Sequence, residues 1–184
     1  MGEIYIKLAR AAIAQSIGLD YEIDLDEIVS KYPSLKEQGA TFVTITKGEE
    51  ESLRGCIGSL EAYRPLYEDI IINARAAALH DPRFNALSAD EFKDIKIEVS
   101  ILSKPEKLEY RDIEDLKSRI RAGIDGVVLK LGSAQATFLP QVWEQLPSFD
   151  LFFAHLCQKA GLSANCLEFH PEIFSYQVEK FKEE

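Results

Sequence analysis

The hexapeptide Leu53-Arg54-Gly55-Cys56-Ile57-Gly58 combines a thiol, a guanidinium and two glycines. Read as a β-strand, it turns Leu53, Gly55 and Ile57 to one face and Arg54 and Cys56 to the other. A guanidinium two positions from a thiol lies within reach of it, and a neighbouring cation favours the thiolate. The glycines remove bulk around the sulfur, leaving room for a ligand or another backbone segment. This pattern suits thiol chemistry or capture of a small anion. The same residues also suit plain packing, with Cys56 as a small buried hydrophobe and the glycines forming a bulge.

The elements that must position these groups can be read from periodicity. Ile6, Ala9, Ile13 and Ile17 fall at helical spacing over residues 3–17, stopped by Gly18. A polar stretch spans Asp24 to Pro33. Phe42 to Thr46 then reads as a strand, Lys47 to Glu51 as a turn, and Ser52 to Gly58 as the returning strand. A helix is expected from Pro65 to His80, ended by Asp81-Pro82. Ser88 and Glu91 form a capping signature before a short helix. Ile95, Ile97, Val99 and Ile101 alternate with Lys96, Glu98 and Ser100, the pattern of a half-buried strand. Glu98 on its polar face could orient Arg54 or act as a base near Cys56, and Arg83 beyond the helix end could be presented by a loop.

Further on, Gly126–Leu131 and Ala136–Leu139 flank the hairpin signal Gly132-Ser133. Ser148 caps a helix whose stripe runs from Phe149 to Ala160 and includes Cys157, and 173–181 reads as a final strand. Hairpins mixed with helices predict an α+β fold with a largely antiparallel sheet. With 21 basic and 31 acidic residues the net charge is −10, against a surface that grips a phosphate backbone. Direct nucleic-acid binding is therefore not expected. Three sparse cysteines, no signal-like N-terminus and no membrane-length apolar run predict a reduced, cytoplasmic protein with no membrane contact. Neither Cys-x-x-Cys nor His-Glu-x-x-His occurs, and Cys166 with His170 is a weak coincidence, so no metal site is expected. His80 tempts as a base, while His155 and His170 show no partner.

Leu53–Gly58 resembles the signature hexapeptide of the AMMECR domain family. Similar to the family as well are Asn73-Ala74-Arg75-Ala76-Ala77, Asp81-Pro82-Arg83-Phe84, the strand 97–103, Phe138-Leu139-Pro140-Gln141-Val142-Trp143 and Lys159-Ala160-Gly161-Leu162. The chain most resembles the stand-alone prokaryotic A component of AmmeMemoRadiSam systems. The resemblance implies a single AMMECR-type domain over residues 1–184, with two unequal subdomains and the hexapeptide at a cleft between them. It implies association with a Memo-type protein and a radical SAM protein. The partner would hold the iron–sulfur cluster, since the triple-cysteine motif is absent here, and no cofactor is expected on this chain. The residues it carries over are Arg54, Gly55, Cys56, Gly58, Arg75, Asp81, Arg83, Glu98, Ser100 and Gln141. In the enzymatic reading Cys56 is nucleophile or thiol donor, Glu98 orienter or base, and the others bind a small anionic ligand. The competing reading is a non-catalytic protein-interaction module.

Overall fold

The structure, a computed structural model, describes residues 1–184 and divides into two compact units. The first holds Met1–Leu102 and Glu179–Glu184, the second Ser103–Val178. Helix α1 (Gly2–Ser16) opens the first unit, followed by α2 (Leu25–Lys31), β1 (Ala40–Lys47), β2 (Ser52–Gly58), α3 (Leu66–Leu79) and β3 (Ile95–Leu102). The second unit contains β4 (Glu106–Leu108), α4 (Ile113–Arg119), β5 (Gly126–Leu131), β6 (Ala134–Phe138), α5 (Phe149–Lys159) and β7 (Glu172–Tyr176). The chain then returns to the first unit as β8 (Val178–Lys182). The fold is α+β, with largely antiparallel pairing, as the sequence predicts. The strands form two four-stranded sheets, ordered β2-β1-β3-β8 and β4-β7-β5-β6.

In the first sheet, alternation decides which face is buried. Val43 and Ile45 of β1 and Ile97 and Val99 of β3 are fully buried, whereas Thr44, Thr46, Lys96 and Glu98 between them are half-buried. The apolar face packs under α1 and α3, where Leu8, Ile13 and Ile70 are also sealed from solvent. Burial of each such side chain contributes roughly 1.5–3 kcal/mol gross. Helix α3 presents Ala74, Ala77 and Ala78 on its buried side, small enough for a strand to approach closely.

That approach explains Gly55. A Cβ there would sit 2.1 Å from the Ala77 carbonyl oxygen, a backbone atom with no freedom to move away. At Gly58 a Cβ would lie 2.2 Å from the Phe42 ring across the β1–β2 pair. Both glycines make room for the protein's own atoms: of the two occupants the sequence allows, a ligand or another segment of the chain, it is the chain that fills the space.

In the second unit, Phe152, Phe153 and Leu156 of α5 pack with Val127, Leu129 and Ile173 of the sheet. Trp143 stacks on Phe152 at 3.7 Å, and its Nε1 donates to the Asp125 carbonyl at 2.8 Å. Cys157, expected as a reduced core thiol, is joined to Cys166 by a disulfide, and both residues are buried. After α5 ends near Gly161 the chain doubles back through a 3₁₀ turn at Cys166–Phe169, which brings the two Cα atoms to 5.8 Å.

Three further expectations change. The polar stretch after residue 24 contains α2, capped by Asp24 accepting from the Glu27 amide at 2.9 Å. Helix α4, capped in the same way by Asp112, falls in a segment where no element was expected. The final apolar run is two strands, β7 and β8, which part at Gln177 and enter different sheets. No helix is long and apolar enough to cross a membrane.

Candidate functional site

Strand β2 lies at the edge of its sheet, so its outward amides need partners beyond the ladder. The Cys56 N–H finds one in Asp81, donating to Oδ2 at 2.9 Å. Asp81 stands just past α3, where Pro82 stops the helix, and only 3% of it is exposed. Its carboxylate also accepts from the backbone N–H of Arg83 at 3.0 Å, from Arg83 Nε at 3.0 Å and from Arg83 Nη2 at 2.8 Å. The bidentate Arg83 guanidinium and the two backbone donors hold the Asp81 carboxyl well below the usual carboxylate range, against the opposing effect of burial. In return Asp81 chiefly, with a smaller contribution from Cys56, keeps Arg83 firmly protonated. Arg83 is therefore a cation within electrostatic reach of the thiol.

Arg54 goes elsewhere. The β1–β2 register slips between Ile45 and Thr46, so that Ile45 opposes Gly55 and Thr46 opposes Leu53. Arg54 is the extra residue of a bulge, a device that re-aims a side chain. Its Nε and Nη2 donate to the two oxygens of Glu91 at 3.0 and 3.1 Å. Lys47 donates to the same carboxylate at 2.9 Å, and the Ser88 amide does so at 2.9 Å, closing the capping box anticipated from sequence. Arg54 first, then the Ser88 amide, keep the Glu91 carboxyl far below its ordinary range. The remaining nitrogen, Arg54 Nη1, is the one buried side-chain nitrogen or oxygen without a hydrogen-bond partner.

The two guanidiniums meet at Phe84, with the Arg54 carbon 5.8 Å and the Arg83 carbon 5.5 Å from the ring centroid. Arg54, Pro82, Arg83, Phe84, Asn85 and Glu91 line a depression of about 420 Å³, within the range of small-molecule sites. Cys56 is the free cysteine, half-buried on the polar sheet face. Its sulfur lies 3.3 Å from the Thr44 hydroxyl directly opposite on β1.

The structure thus brings Arg54, Cys56, Asp81 and Arg83 into one neighbourhood. Glu98 pairs with Thr44 on the far side of β1, two strands and roughly 10 Å from Cys56. Glu91 takes the carboxylate position beside Arg54 that the sequence reading offered to Glu98. Ser100 lies behind Phe42, its partner on β1. Arg75 is exposed on α3 and makes no ion pair, while Gln141 is exposed in the second unit on a 3₁₀ turn over Pro140–Glu144. Sequence reading missed Thr44 and the second role of Glu91. A register alignment of β1 on β2 would have found the first. The capping signature marked the second without revealing its partners. No group of three or more His, Cys, Asp or Glu side chains is arranged to hold a metal ion.

The AMMECR1 family model matches residues 6–181. The chain belongs to the AMMECR1 family. A relative from Sulfolobus acidocaldarius is 43% identical over 174 residues, covering 90% of this chain and 74% of its own. One from Methanothermobacter thermautotrophicus is 35% identical and is covered to 94%, with the whole of this chain aligned. Among solved structures, an uncharacterized protein from Pyrococcus horikoshii superposes with a TM-score of 0.79 at 33% identity, over 100% of this chain and 91% of that one. The hexapeptide carrying Arg54 and Cys56, and the Asp81–Phe84 loop that grips it, both fall inside the matched AMMECR1 region.

Proposed function

We propose that the β2 edge of this AMMECR1 protein binds a small anionic ligand beside a reactive thiol, with Arg83 and Arg54 receiving the anion and Cys56 as the nucleophile. One observation carries the reading. The buried Asp81 carboxylate ties the backbone of the residue bearing the free thiol to a guanidinium that is itself half exposed. A cation fixed beside a thiol favours the thiolate, and a cation open to solvent is a receptor for an oxyanion. Asp81 and Thr44 are positioning groups in this scheme. Glu98 as a base near Cys56 has no support in its placement two strands away.

Iodoacetamide labelling tests the reading, because the other two cysteines are locked in a buried disulfide. Alkylation of Cys56 should slow in Arg83→Gln, and in the wild-type protein small oxyanions should protect the thiol. Equal rates in both proteins, with no protection by any anion, would remove the basis for the proposal.

By its resemblance, the protein is proposed to act in the cytoplasm, in a modification system with a Memo-type protein and a radical SAM protein. The radical SAM partner would hold the iron–sulfur cluster. Co-purification of the three proteins, retained in Cys56→Ser but lost when the partner is omitted, would test the association. Exposed Leu53, Leu60 and Tyr63 on and just beyond β2 favour a second reading, a non-catalytic protein-interaction module. Under that reading Cys56→Ser supports full complementation, whereas Leu60→Asp with Tyr63→Asp does not.

A further inference from the structure

The charges around Phe84 can be counted group by group. Lys47, Arg54 and Arg83 are cations, and Glu91 and Asp81 are the carboxylates they pair with. Three against two leaves a single positive charge while Cys56 carries its proton, on a chain that carries −10 in all. Neither carboxylate can take up a proton near neutral pH to relieve crowding by a second negative charge, because both are held far below the normal carboxylate range.

The donors left over are as specific as the charge. Each guanidinium spends Nε and Nη2 on its own carboxylate. Arg54 Nη1 is buried without a partner, and Arg83 Nη1 makes no hydrogen bond within the chain while its side chain is 54% exposed. Arg54 and Arg83 both line one depression of about 420 Å³, and each keeps one guanidinium nitrogen that makes no hydrogen bond within the chain and is suited to one oxygen.

We infer that the group received there is an oxyanion with two terminal oxygens sharing one negative charge, a carboxylate or a phosphodiester. The inference rests on the anion-binding reading and narrows it. A sulfate or a phosphate monoester dianion would bring a second charge up against Asp81 and Glu91, and that charge would meet no cation free to receive it. Electrostatic complementarity here selects by rejection as much as by attraction.

The test is a titration of the full chain at low ionic strength with acetate, dimethyl phosphate, sulfate and methyl phosphate, at a pH where the last is doubly charged. Binding is followed by the Nε–Hε NMR signals of Arg54 and Arg83. Acetate and dimethyl phosphate should each bind about tenfold tighter than either dianion, and the better of the two identifies the source of the oxyanion. If sulfate or methyl phosphate binds as tightly as the monoanions, the charge inference is wrong while the anion site stands. If none of the four moves either signal, the anion-binding reading itself fails.

A variant makes the charge argument independent of shape. Glu91→Gln keeps a residue that can close the capping box with Ser88, and it raises the local charge by one. The preference should then disappear, with sulfate gaining about tenfold relative to acetate and binding about as tightly. An unchanged order in the folded variant overturns the inference.

Discussion

Asp81→Asn removes the charge that links Cys56 to Arg83 at nearly unchanged shape. It also turns one of the two acceptor oxygens into an NH2 donor, so two of the four N–H groups lose their acceptor. At neutral pH the carboxylate accepts four hydrogen bonds, three from Arg83 and one from the Cys56 amide. Those to the half-exposed guanidinium are screened by water and contribute little. The bond from the Cys56 amide to a buried anion is the costly one to weaken, so the loss should be about 1.5–3 kcal/mol. The pH dependence is sharper. A carboxyl whose folded pKa is depressed adds stability above its unfolded pKa, and that stability is lost as pH falls through the folded value. With an unfolded value of about 3.9, roughly nine chains in ten would be protonated at this position when unfolded at a pH of about 3, while the folded site stays ionised. The advantage of wild type over Asp81→Asn should therefore shrink by about 1.3 kcal/mol between neutral pH and pH ~3. Urea unfolding followed by far-ultraviolet circular dichroism at the two pH values measures this double difference, and the other titrating groups cancel. Tryptophan fluorescence would report on the wrong place, because Trp143 belongs to the second unit. A pH-independent difference would show that Arg83 and the Cys56 amide do not hold the Asp81 charge, and the site's central link would be gone.

Other perturbations address separate parts of the molecule. Gly55→Ala, whose Cβ meets the Ala77 carbonyl oxygen at 2.1 Å, should destabilise the first unit by about 1–3 kcal/mol, read as a shift of the urea midpoint. Gly58→Ala meets only the Phe42 ring, so its cost should largely vanish when Phe42 is also Ala, a coupling that a double-mutant cycle detects. Reduction of the Cys157–Cys166 bond, or Cys157→Ala with Cys166→Ala, releases a short loop and should cost the second unit roughly 2.7 kcal/mol on the chain-entropy account. The melting transition of Trp143 fluorescence is the readout, and an unchanged midpoint would deny the bond any stabilising part. Thr44→Val deletes the hydroxyl 3.3 Å from the Cys56 sulfur and should change its iodoacetamide labelling rate, with Thr44→Ser restoring it. A merely structural Thr44 would change stability and leave the rate alone.

How far the residues announced this arrangement depends on how local each cause is. The alternation over 95–102 was legible because one face of β3 is buried under helices and the other is not, so burial writes itself into the pattern. Helix α2 was hidden by its polarity, with only Ile28 and Val29 buried in seven residues. The final apolar run read as one strand because both halves alternate, and only the pairing partners of β7 and β8 reveal the break at Gln177. The site divides in the same way. Arg54, Cys56, Asp81 and Arg83 were nominated together, but the link between them is a hydrogen bond across 25 residues, invisible to any local pattern. The bulge that sends Arg54 to Glu91 arises from pairing two strands whose lengths differ by one at that point, so strand alternation alone could not reveal the partner of its guanidinium. Glu98 shares the polar face of the sheet with Cys56. Sharing a face does not set distance, however, and β1 stands between it and Cys56.

That geometry changes what the hexapeptide's two glycines and its arginine are for. If Gly55 and Gly58 had opened space at the sulfur, ligand access would depend on residues inside the hexapeptide. Instead their missing side chains admit α3 and Phe42, which lock β2 in place, and the solvent-facing groups come from the loop after α3. The hexapeptide supplies a thiol on a rigid strand, while the Asp81–Phe84 loop supplies the exposed charge. Substitutions in the loop that spare Asp81 should therefore alter ligand choice with little effect on folding, and substitutions at the two glycines should do the reverse. Arg83→Lys is the most direct case. It keeps one positive charge next to Asp81 but replaces a planar fork by a point charge, so affinity for two-oxygen anions should fall about tenfold with the urea midpoint nearly unchanged. A variant that instead unfolds at markedly lower urea, with anion affinity intact, would make Arg83 a structural clamp and return the binding role to Arg54 alone.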